Sequence, residues 1–81
     1  MTFGDVEELF ASAPPLFLQA VNDVDKCTLW GRHVRSTDMT HFRDWVTAHK
    51  DALRSLYHTH QYVQDPRRAT AGCALLFFGI D

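Results

Sequence analysis

The sequence predicts an all-α domain: a small bundle of three to four helices around one long central helix. Three observations lead there. Apolar residues recur at steps of three and four along most of the chain, which is the period of a helix face. Proline falls only between such stretches, at Pro14, Pro15 and Pro66. The composition is 46% hydrophobic and 22% charged, with a net charge of −2, which excludes a chain disordered throughout. Its 81 residues form a single domain over residues 1–81 and leave no room for a barrel or a full nucleotide-binding fold. The core is thin at this length, and small domains often gain support from a disulfide, a metal or a second subunit.

The first helix starts at a Thr2 cap, with Asp5, Glu7 and Glu8 near its positive end. Phe3, Val6 and Phe10, with Leu9 beside them, form its buried face. Ser12-Ala13-Pro14-Pro15 ends it and opens a second helix, because proline fits a first turn, where an N–H has no partner. Phe17, Ala20 (with Val21), Val24 and Cys27 mark the inner face of that helix, and Gly31 terminates it after Trp30.

Residues 31–35 are a connector, and Ser36 or Thr37 caps the third helix, from Asp38 to Gln64. Met39, Phe42, Val46, His49, Leu53, Leu56, His60 and Val63 alternate steps of three and four without a slip, a seven-residue repeat. Such a helix is about 39 Å long at 1.5 Å per residue. A compact body of this chain length is only about 30 Å across. The seam therefore predicts self-association as a homodimer, against the alternative that the other helices cover it within one chain. Asp65-Pro66 opens a fourth helix that runs to Phe78, with Gly79 as terminator. Residues 74–78 also fit a short buried strand, which makes the alternative class α+β.

The N-terminus has neither a basic nor an apolar signal region, and the longest apolar stretch, 69–80, is too short to span a membrane. Cys27 and Cys73 match no metal or redox spacing and are expected as buried free thiols. A cytoplasmic protein is the resulting expectation. The three serines lie in no nucleophile elbow and the glycines form no phosphate loop, so no enzyme and no cofactor are expected. His58, His60 and Cys73 are the nearest approach to a metal site, but they match no strong ligand pair, so none is expected.

Charge is uneven. Residues 1–25 carry five acids and no base, whereas residues 26–68 carry eight bases against four acids. On the third helix Arg43, Lys50, Arg54 and Tyr57 fall on one stripe with Trp45 nearby, a grouping of the residue types that dominate protein interfaces. That stripe is the expected partner-binding site, for a protein with an acidic surface. The net negative charge argues against nucleic acid.

The resulting expectation is a non-catalytic protein–protein interaction module: an adaptor, an accessory subunit or a small inhibitor and regulator of a larger machine. Two alternatives stand beside it. One is a precursor peptide with a helical leader, whose apolar segment 72–81 is modified by a partner enzyme. The other is a histidine-based metal or pH sensor, with His49 and His60 in the seam titrating near neutral pH.

Overall fold

A computed structural model describes residues 3–59 and 64–80. Six helices stand among them: α1 (Phe3–Ala11), α2 (Pro15–Ala20), α3 (Lys26–Gly31), α4 (Thr37–Ala48), α5 (Lys50–His58) and α6 (Pro66–Phe77). The described residues are all-α and contain no strand, so the C-terminal segment is helix. The Thr2 cap, the Phe3 side chain and the seam residues His60 and Val63 lie outside the described residues.

The single helix expected from Pro15 to Trp30 is two. Asp23 accepts the backbone N–H of Asp25 at 2.9 Å, and Lys26 Nζ reaches back to the Asp23 carbonyl at 2.7 Å. Asp25 then caps α3, accepting the Thr28 N–H at 3.1 Å and the Thr28 hydroxyl at 2.6 Å. Those bonds hold Asp25 well below the usual carboxylate range. Side chains that bond to nearby backbone compete with helix, and two aspartates two positions apart win here. Val24, expected on the inner face, is fully exposed at the turn, and Cys27 is exposed as well.

The long central helix is also two. Its junction is His49, at φ −114° and ψ 20°, far from helical values. Two side chains before the break bond back to carbonyls four residues earlier. Thr47 Oγ1 donates to the Arg43 carbonyl at 2.9 Å, and His49 Nδ1–H donates to the Trp45 carbonyl at 2.8 Å. Such back-bonds tilt carbonyls out of the ladder and bend helices. The longest helices, α4 and α6, have 12 residues, or about 18 Å. They fit within a body 34 × 24 × 22 Å, so no helix among the described residues outruns it.

The seam keeps its register through the junction, and the fold spends it internally. Phe42, Val46, Leu53 and Leu56 are fully buried and Met39 nearly so, within one chain. These described seam residues are therefore covered within one chain, and the length argument for a second copy falls away.

A chain of rings runs through the core. Phe10 stacks on Phe17 at 5.0 Å, Phe17 lies 5.2 Å from Trp45, and Phe42 sits between Trp30 (5.0 Å) and Phe78 (5.1 Å). Trp30 satisfies its buried N–H on the Leu16 carbonyl at 3.0 Å, which joins α3 to α2. The small residues of α6 let α5 approach closely: a Cβ on Gly72 would overlap the ring of Tyr57. Asp65 caps α6 as its position predicts, and Gly79 ends it at φ 65°. Segment 72–81 is therefore built into the body over its described part, since Ala74 and Leu75 are fully buried.

Candidate functional site

A cleft of about 450 Å³ opens between α1 and the α4–α5 junction, lined by Asp5, Glu8, Leu9, Ser12, His49 and Ala52. Asp5, Glu8 and Leu9 come from α1, and Ser12 from the turn that follows it. Val6, Leu9 and Phe10 are buried and hold α1 in place.

Arg67 completes that anchor. Its Nη1 donates to Glu7 at 2.8 Å, its Nη2 donates to Asp65 at 2.7 Å, and its guanidinium lies 5.1 Å from the Phe10 ring centre. Hydrogen bonds from Arg67 hold the Asp65 carboxyl below its usual range, and the two carboxylates raise the guanidinium in turn. Glu7 therefore ties α1 to α6, while Glu8 remains on the cleft.

The polar groups of the cleft have defined roles. The Ser12 hydroxyl donates to the Leu9 carbonyl at 3.0 Å and accepts the Trp45 indole N–H at 3.2 Å. Its proton is thus committed to the backbone. The Trp45 carbonyl can only accept, so the His49 proton that meets it sits on Nδ1, and the neutral ring carries its lone pair on Nε2. The imidazole also packs against the Trp45 indole, 5.1 Å between centres. At the junction the same bonds bend the helix and fix the ring.

The residues expected to bind a partner lie on α4 and α5, on both sides of His49. Arg43 is exposed on α4, with its neighbour Asp44 at 3.8 Å, and Lys50 is exposed at the start of α5, beyond the bend. Trp45 is in the core. Arg54 turns to the C-terminus, donating to the Ile80 carbonyl at 2.8 Å, and has Asp51 at 3.7 Å. Tyr57 lies against Gly72 with the Arg68 guanidinium 5.4 Å from its ring centre.

Of the metal candidates, His58 is exposed at the end of α5, Cys73 is half-buried on α6, and His60 lies outside the described residues. Among the described residues no three His, Cys, Asp or Glu side chains are placed to hold an ion. No described helix is long and apolar enough to cross a membrane. His49 was visible in the sequence as a polar interruption of the seam. Asp5 and Glu8 were read only as complements of the helix dipole and Ser12 only as part of a helix break and a serine outside any nucleophile elbow, although their spacing was a readable polar stripe. No family model, curated protein or solved structure matches the chain.

Proposed function

We propose that the chain is a non-catalytic protein-interaction module, a cytoplasmic adaptor, accessory subunit or small inhibitor, and that the cleft beside α1 is its contact site. The observation that carries this reading is the commitment of Ser12. A nucleophilic serine needs its proton within reach of a base, and here that proton goes to the Leu9 carbonyl. The cleft is lined by polar groups that can contact a partner, Glu8 and His49 among them, and its serine is not set up as a nucleophile. Apolar side chains outside the core, Leu18, Val34 and Leu76, add surface that a protein partner can cover.

The test is affinity capture from the cells that make the protein, followed by reconstitution with the purified partner. The reading expects a complex of fixed stoichiometry on sedimentation. Failure of every captured protein to form such a complex when purified would overturn it.

A further inference from the structure

We propose that the α4–α5 junction is the hinge of a domain exchange, in which two copies of this chain straighten residues 37–58 into one helix and trade their α5–α6 units. Such an exchange is separate from the contact with another protein proposed above and does not depend on it.

The junction interrupts a segment whose local chemistry favours a continuous helix. No proline or glycine occurs from Thr37 to His58, and Phe42, Val46, Leu53 and Leu56 keep one buried helical face across the break. The break costs hydrogen bonds. His49 donates its N–H to the Trp45 carbonyl at 3.0 Å, and Leu53 donates to the His49 carbonyl at 2.9 Å. Between these two bonds the ladder is interrupted: the Lys50 and Ala52 N–H groups do not reach the Val46 and Ala48 carbonyls, four residues back, and two helices stand where one would. No side chain caps the start of α5 in their place. A straight helix restores those bonds. Its main requirement is to bring His49 from φ −114° and ψ 20° to helical values.

The packing divides at the same residue. α5 packs chiefly on α6, where Tyr57 lies against Gly72, and α4 packs chiefly on α2, where Phe42 meets Phe17. The two units meet through side chains: Trp30 with Phe77 at 5.4 Å, Phe42 with Phe78 at 5.1 Å, and Arg67 with Glu7 at 2.8 Å. Two copies that trade α5–α6 units make each of these contacts again, with Trp30 of one copy against Phe77 of the other. The core is the same in both forms. The exchanged form gains continuous helices and loses the freedom of two separate chains, so concentration decides between them.

The full chain, refolded from denaturant at low and at high concentration, tests the proposal by sedimentation. The expected result is monomer at low concentration, and at high concentration a dimer that persists on dilution, because reversal requires the units to separate. In a dimer of one ¹³C-labelled and one unlabelled chain, isotope-filtered NOEs should join the Trp30 ring of one copy to the Phe77 ring of the other. Thr47→Ala with His49→Ala, which removes both back-bonds at the bend, should raise the dimer association constant at least about tenfold. Inserting Gly-Ser-Gly between His49 and Lys50 should abolish the dimer while the monomer stays folded, since a longer flexible hinge closes within one chain and does not continue the helix. Wild type and the Thr47, His49 double variant both staying monomeric after refolding at high concentration would overturn the proposal. So would a dimer without Trp30–Phe77 NOEs between copies, or one that the insertion leaves intact, because either is an association of closed chains.

Discussion

The two ends of the chain are held in place by different means. At the C-terminal end, α6 packs backbone-close on α5, with Gly72 against Tyr57 and with Ala71, Ala74 and Leu75 fully buried. At the N-terminal end, α1 to α3 are short and are held through large rings and side-chain hydrogen bonds, from Trp30 to the Leu16 carbonyl and from Trp45 of α4 to the Ser12 hydroxyl. Close packing of small residues leaves no space between helices. Rings and polar bridges hold helices further apart, and the cleft lies on that side.

The largest effect is expected where the two ends meet. Phe42 touches Phe17 and Trp30 of the N-terminal part and Phe78 of the C-terminal part. Phe42→Ala should cost about 3–5 kcal/mol, a large part of the stability of so small a domain. Urea unfolding followed by tryptophan fluorescence and by helix circular dichroism should give coincident transitions at a lower midpoint. Two separated transitions would break the picture of one shared core.

Gly72→Ala probes the close-packed end alone. The added methyl meets the Tyr57 ring, and its overlap should outweigh the helix-propensity gain, for a net loss of about 1–3 kcal/mol. A double-mutant cycle with Tyr57→Ala should show strong coupling, because removing the ring removes the overlap. Independent, additive effects would mean that α5 and α6 approach less closely.

Arg67→Met removes the ionic tie of α1 while keeping its stem on Phe10, and should cost about 1–3 kcal/mol at pH 7. The pH dependence follows from Asp65, whose carboxyl Arg67 holds below its unfolded value. Stability from that group is fully present above the unfolded pKa of about 3.9, and is lost as pH falls through the lower folded value. Denaturation curves between pH 5 and pH 2 should therefore be steeper for the wild type than for Arg67→Met. Equal slopes would show that Asp65 does not carry the acid sensitivity.

The smallest effect is expected at the bend. Thr47→Ala with His49→Ala removes both back-bonds, and stability should change by about 1 kcal/mol or less, with helix content steady or higher. A large loss of helix would mean that the two side chains hold α4 and α5 together rather than bending one helix into two.

These differences follow what was legible in the sequence. The α6 start at Asp65-Pro66 and its stop at Gly79 are local chemistry, and the structure places both where their neighbours in sequence imply. The seam was legible as buried, since Phe42, Val46, Leu53 and Leu56 are all inside. What covers it was not, because periodicity identifies a face and never its occupant. The bend at His49 was hidden for a related reason: the helical spacing continues across it unbroken, and only the Thr47 and His49 back-bonds mark it. The turn at Asp23 and Asp25 had a readable signal in its paired short acids, overridden in the reading by the apolar steps through Val24. The tie between Glu7 and Arg67 spans 60 positions, beyond any local pattern.

The central claim is that this domain acts by binding a protein partner. Sedimentation of the chain mixed with each purified captured protein tests it most directly. The expected result is a complex of fixed stoichiometry with at least one of them, and sedimentation of every mixture as separate species would contradict the claim.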